Sequence, residues 1–162
     1  MRWKPACVLW QEIEQEAKGH TSMSTEILKF TNDDGPEYQA LISLVGHFIG
    51  NPVIPARLGA PITTKPGDIW LVAKEGDKPC GCCVITLHKN GAAKLHGLYV
   101  APYKADNALY LTLLHRATEE VAAVQGKMIR HTTLPEFAGW MTKDGWKPGL
   151  VRGKYTTYEK EL

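Results

Sequence analysis

The spacing of hydrophobic side chains changes several times along the chain, and each change marks an element. Cys7, Trp10, Ile13 and Ala17 recur at helical spacing and predict a short helix over Pro5 to Lys18, broken by Gly19-His20-Thr21-Ser22. Ser24 to Phe30 alternates apolar and polar positions, as a strand with one buried face does. Asn32-Asp33-Asp34-Gly35-Pro36 is a helix-start signal, because short polar side chains satisfy free N–H groups and proline suits the first turn. Behind it Tyr38, Leu41, Ile42, Val45, Phe48 and Ile49 form an apolar stripe. Four prolines and several glycines between Asn51 and Gly67 predict a long irregular connection. In a compact domain such a loop usually serves function.

A run of strands follows. Asp68 to Lys74, Gly81 to Lys89 and Ala93 to Val100 are joined by Glu75-Gly76-Asp77-Lys78 and by the hairpin signal Asn90-Gly91, which predicts an antiparallel meander. After Pro102 the period becomes helical. Leu109, Leu113, Ala117 and Val121 share a face with Leu114 and Val124, Asp106 or Asn107 caps the start, and Gly126 ends the helix. Lys127 to Thr133 reads as a strand, Pro135 to Lys143 as a short helix stopping at Asp144-Gly145, and Tyr155 to Lys160 as a last strand. A helix between two strands points to a parallel pair there. The expectation is an α/β (α+β) fold with a mixed sheet, in which an antiparallel meander leads into a parallel strand-helix-strand unit. Residues 23–162 form one domain, and residues 1–22 a helical appendage.

Composition narrows the function classes. With 162 residues, 44% hydrophobic and 22% charged, the chain suits one domain with a real core. A net charge of +2 is not that of a dedicated nucleic-acid binder, so such a role would need a local patch. Lys127, Arg130, Lys143, Lys147, Arg152 and Lys154 offer one, or else a solvated face. No segment has the roughly 20 apolar residues of a membrane span. The basic start Met1-Arg2-Trp3-Lys4 is followed by too short an apolar stretch for a signal peptide, so the cytoplasm is expected. Cys80, Cys82 and Cys83 are spaced too tightly for a usual zinc pair. They read as small hydrophobes of a buried strand, reduced and without metal.

Leu95-His96-Gly97-Leu98-Tyr99-Val100-Ala101-Pro102, in this order of elements, resembles the fourth strand of the GNAT superfamily of acyl-CoA-dependent N-acyltransferases, which ends in Val-x-Pro. The likeness runs from about Thr25 to the C-terminus. It includes Leu113-Leu114 on the following helix and Trp140-Met141-Thr142-Lys143-Asp144-Gly145-Trp146, which resembles the family's Tyr-x-x-x-Gly-Phe. The resemblance implies helices on both faces of the sheet. It also implies acetyl-CoA, or another acyl-CoA, as co-substrate and an amine as acceptor, with no metal. Leu98, Tyr99 and Val100 would hold the pantetheine arm along a strand edge. Lys104, Ala105, Asp106, Asn107, Ala108 and Leu109 would lie at the pyrophosphate, where a turn before a helix offers N–H groups.

This chain departs from the family pattern at the loop, whose glycines are replaced. Asp106 brings a negative charge towards the phosphates or caps the helix, and Tyr110 adds bulk. The family's tyrosine acid falls on Met141, which has no proton to donate. His96 resembles a strand histidine used as a base in serotonin-type members, and its near-neutral pKa suits deprotonation of an amine. Alternation would put His96, Leu98 and Val100 on one face. His131, Thr132 and Thr133 end the next strand and would face the same cleft or serve packing. Trp70, Trp140 and Trp146 would line an acceptor pocket or pack in the core. Acyl transfer to an amine is therefore the first expectation. The alternatives are a GNAT-like binding module without catalysis and a divergent phage-type relative that modifies nucleic acid. No motif reads the acceptor, and the oligomeric state, a dimer included, is left open.

Overall fold

A computed structural model describes residues 24–33, 35–58, 60–104 and 107–162, without the side chain of Asn107. The expected helix over Pro5 to Lys18, and with it the appendage 1–22, lies outside these residues, as do Ala105 and Asp106. Within them the chain forms one seven-stranded mixed sheet in the order β1-β2-β3-β4-β5-β7-β6. Its strands are β1 (Glu26–Thr31), β2 (Ile69–Glu75), β3 (Lys78–Leu87), β4 (Ala92–Val100), β5 (Met128–Thr133), β6 (Lys147–Arg152) and β7 (Tyr155–Glu161). The helices are α1 (Pro36–Ile49), α2 (Val53–Leu58), α3 (Asn107–Ala123) and α4 (Ala138–Lys143). Strands β2 to β4 form the expected antiparallel meander, and β1 adds to its edge antiparallel to β2. Helix α3 then crosses over so that β5 lies parallel to β4, and β7 and β6 extend the sheet antiparallel. Among the described residues no helix is long and apolar enough to cross a membrane.

Two cores form, one on each face. Leu71, Cys83, Ile85, Leu95 and Ile129 meet Leu113, Leu114, Ala117 and Val121 of α3, with Met141 and Trp146 closing the cluster. On the other face Trp70, Val72, Cys82, Val84 and Tyr99 meet Leu41, Val45 and Phe48 of α1 and Ile54 of α2. Removing such side chains from water is the main driving force, roughly 1.5–3 kcal/mol for each fully buried large aliphatic group. The cysteines are divided between the faces, Cys80 and Cys83 under α3 and Cys82 under α1. All three are buried free thiols, and burial pushes Cys82 up to about 12.

Several local expectations change. The connection from Asn51 to Gly67 contains α2, whose Ile54 is driven into the core despite Pro52 before the helix and Pro55 within its first turn. Asn32 does not cap α1. Its amide donates instead to Thr64 Oγ1 (2.9 Å) and the Lys65 carbonyl (2.8 Å), tying that connection to the end of β1. Gly35 is the N-cap of α1, with no side-chain cap bond, and Glu37 reaches back to the Thr31 N–H. Val124 falls past the end of α3 and is exposed. The chain must turn there. A Cβ on Gly126 would lie 2.4 Å from Val121 Cγ1, so this position admits only glycine without rearrangement. Strand β6 carries no alternation because all its residues are exposed, and its Pro148 is tolerated at a sheet edge.

Candidate active-site cleft

Strands β4 and β5 stay together only from the pair Ala92–Met128 to the pair Leu95–His131. Beyond it they diverge around a cleft of about 610 Å³. The cause lies in β4. Val84 pairs with His96 but Cys82 pairs with Tyr99, so Cys83 stands opposite both Gly97 and Leu98. This is a β-bulge with Gly97 at φ +59°, a left-handed conformation that glycine adopts without penalty. A Cβ at Gly97 would also stand 3.1 Å from Ile62 Cγ2.

The bulge overturns the simple alternation. Leu98 and Val100 pack towards α3, whereas His96, paired with Val84, faces the α1 side with Tyr99. The extra residue between His96 and Leu98 reverses their relation, so the three do not share a face. All of them still line the cleft, because it passes through the gap in the sheet. At the backbone, the Ala101 N–H is given to the Cys80 carbonyl of β3 (2.8 Å). Successive residues of a strand present N–H groups to opposite edges, so that of Val100 is turned to the cleft.

The imidazole of His96 is half-buried and lies 2.8 Å from Thr86 Oγ1 through Nε2. Burial lowers its pKa below the ordinary histidine value. Asp68 opposes the shift, and Lys94 and Lys65 add to it. His96 is therefore neutral at pH 7, the form that accepts a proton.

Opposite, β5 contributes a buried chain of polar groups. His131 Nδ1 lies 3.2 Å from the Leu95 carbonyl, which can only accept, so Nδ1 carries the hydrogen and Nε2 accepts from the Tyr110 hydroxyl at 2.9 Å. The Thr133 hydroxyl completes the chain, 3.1 Å from that of Tyr110. Burial takes His131 down to about 4, and burial raises the Tyr110 pKa, so both are neutral over the ordinary pH range. Phe137 stacks on the Tyr110 ring at 4.3 Å. The sequence placed His131 and Thr133 here but read Tyr110 only as bulk. The missed signal is its position one turn into α3, opposite a strand ending in His-Thr-Thr.

The remaining expected residues divide. Tyr99 and Val100 line the cleft with Leu98, while Leu109 is buried in the α3 core. Lys104 forms an ion pair with Glu75 at the end of β2. Ala108 is exposed in the first turn of α3, where Asn107 begins the helix. Trp70 and Trp146 are core residues, with indole N–H groups given to Thr64 Oγ1 and Asp144 Oδ2. Trp140 is half-buried and, like the other two tryptophans, is not among the residues lining the cleft. Met141 is fully buried. Among the described residues no group of His, Cys, Asp and Glu is placed to hold a metal.

No protein-family model matches the sequence, and no curated protein matches it. Solved structures do match in shape. An acetyltransferase of the GNAT family from Staphylococcus aureus superposes with a TM-score of 0.60 at 11% identity, over 86% of this chain and 99% of that one. PaiA N-acetyltransferase from Thermoplasma acidophilum, in complex with coenzyme A, gives 0.59 at 16% identity, over 86% and 100%. An acyl-CoA N-acyltransferase from Pseudomonas aeruginosa gives 0.64 at 12% identity, over 85% and 99%. The chain has the GNAT fold, with its mixed sheet, its parallel β4–β5 pair and helices on both faces.

Proposed function

We propose that the protein transfers an acetyl or related acyl group from an acyl-CoA thioester to an amine. The observation that carries this reading is the divergence of β4 from β5 at the Gly97 bulge, in a fold shared with a structure that holds coenzyme A. The opened edge of β4 suits an extended, amide-bearing arm such as pantetheine, which would add to the sheet as a short strand. The N–H of Val100, and that of Leu98 on the same account, would bond it. The positive N-terminal end of α3, begun by Asn107 and Ala108 after Ala105 and Asp106, would lie at the pyrophosphate. Lys104 is committed to Glu75 and serves the phosphates only if that ion pair opens.

The amine approaches from the α1 side, where His96 stands. Its nitrogen attacks the thioester carbonyl carbon, the C–N bond forms and the C–S bond breaks. The amine proton passes to neutral His96, directly or through one water, and the departing thiolate takes up a proton. Met141 has none to give. Nor is the Tyr110 phenol free to give one, since its hydrogen is given to His131 and burial makes it a weaker acid, so solvent at the cleft mouth is the proton source in this reading.

Two measurements test it. Calorimetry with acetyl-CoA should show stoichiometric binding, and thiol release should depend on added amine. Absence of heat and of a thermal shift at millimolar acetyl-CoA would overturn the cofactor reading. Binding without thiol release across a broad amine panel would make the protein a binding module.

A further inference from the structure

The two sides of the cleft differ in charge. On the α1 side stand Arg57 from the last turn of α2, Lys94 of β4 and Arg152 at the end of β6. Arg152 pairs with Tyr155, two residues before Thr157, whose hydroxyl meets that of Thr132 beside Lys94. Pairing and alternation thus place Arg152 and Lys94 on one face of the sheet, the face that His96 shares. The carboxylate lining the cleft, Glu136, follows β5 and acts on Tyr110 at the α3 side.

None of Arg57, Lys94 and Arg152 has a carboxylate partner among the described residues. Other cations do: Arg116 holds Glu120, Arg130 holds Glu159, Lys104 holds Glu75 and Lys160 holds Asp144. A cleft wall lined by several cations and, among the described residues, by no carboxylate, with Asp68 lying behind His96 outside the lining, concentrates anions, and guanidinium groups bind carboxylate or phosphate through paired hydrogen bonds.

Resting on the acyl-transfer reading, we propose that the acceptor is a small amine that also carries a carboxylate or phosphate, bound by Arg57 and Arg152. An acceptor with only a positive charge would be repelled from this wall. One with an added anionic group is drawn in and oriented, its anion at the arginines and its amine towards His96. The same cations favour the neutral, nucleophilic form of the amine.

The test begins with calorimetry of coenzyme A, which is then kept saturating so that the phosphate contacts of the cofactor are filled. Thiol release from acetyl-CoA is compared for matched amines: β-alanine against β-alaninamide, and O-phosphoethanolamine against ethanolamine. The anionic member of each pair should have the higher kcat/KM by about 10-fold or more, the scale of one good charged contact. In the double variant Arg57→Gln/Arg152→Gln that preference should collapse, chiefly through KM, with coenzyme A affinity unchanged. Equal kcat/KM within the pairs overturns the proposal. So does a double variant that loses coenzyme A affinity by about 10-fold, which would assign the arginines to the cofactor. Should no amine turn over, binding of β-alanine and O-phosphoethanolamine to the coenzyme-A-loaded protein decides: binding lost in the double variant supports the site, and no binding overturns it. Should coenzyme A itself not bind, the acyl-transfer reading falls, and inorganic phosphate binding to the two proteins then judges the arginines by the same criterion. Salt-dependent binding of a duplex oligonucleotide that needs the same arginines would replace the small acceptor with nucleic acid.

Discussion

His96 and His131 are pushed in the same direction for the same first reason, burial, yet they have different tasks. His96 has an open side on the cleft and one partner, Thr86; His131 has both ring nitrogens engaged. His96→Ala should therefore lower turnover by roughly 100-fold, the scale of a lost general base, with coenzyme A affinity little changed. The wild-type rate should fall on acidification along a limb below the ordinary imidazole value of about 6.5, since the folded pKa is lowered. The mutant should lack that limb, and a mutant with wild-type kcat would make His96 structural. For His131 the consequence is stability. Its folded pKa of about 4 lies below the unfolded value, so the unfolded chain binds the extra proton as pH drops. The stabilisation is present above about pH 6.5 and is lost progressively towards pH 4, on the order of 3 kcal/mol in all. Urea midpoints should fall between pH 7 and 5, and His131→Asn should flatten that slope; an equal slope in the mutant would assign it elsewhere. At this scale the sequence singled out His96, His131 and Thr133, and all three line the cleft. It missed Tyr110, because a tyrosine in place of an expected small residue carries no sign of the hydroxyl partners that the fold supplies.

Strand β4 shows how one glycine sets an element's behaviour. Period-two reasoning read its length correctly and its facing wrongly, since the sequence Leu95 to Val100 does not announce which residue is left unpaired. Gly97→Ala meets two penalties, the left-handed backbone and the 3.1 Å approach to Ile62, and should cost roughly 1–2 kcal/mol in chemical denaturation. If the bulge shifts to relieve the strain, coenzyme A binding should weaken as well. A variant as stable as the wild type would show that the backbone there is not held as described. The elements that sequence reading missed share a cause. Helix α2 is six residues long with Pro55 inside it, and β6 is an exposed edge, so neither has enough buried positions to print a period. Long elements were legible, α1 and α3 because burial repeats along them and β3 as a continuous apolar run between turn signals.

For the molecule as a whole, the order of elements was enough to predict the mixed sheet, since tight turns force antiparallel neighbours and a crossover helix permits a parallel one. The cleft was legible only through family likeness, because it arises from where two strands part, which no local pattern encodes. That parting has a kinetic corollary. Strands β2 to β4 are joined by short turns, whereas β5 must return to β4 across the whole of α3. Closing the longer loop costs more entropy before any contact rewards it. Removing side-chain volume from β5, as in Ile129→Ala, should then chiefly accelerate unfolding and leave the refolding limb of the chevron nearly unchanged, whereas Val84→Ala in the meander should slow refolding. The opposite partition would place the parallel pair in the nucleus. On this account the seam proposed to admit acyl-CoA is sewn later than the meander and loosens before it, and an occupant lying in it would act as a late stitch holding two half-sheets together.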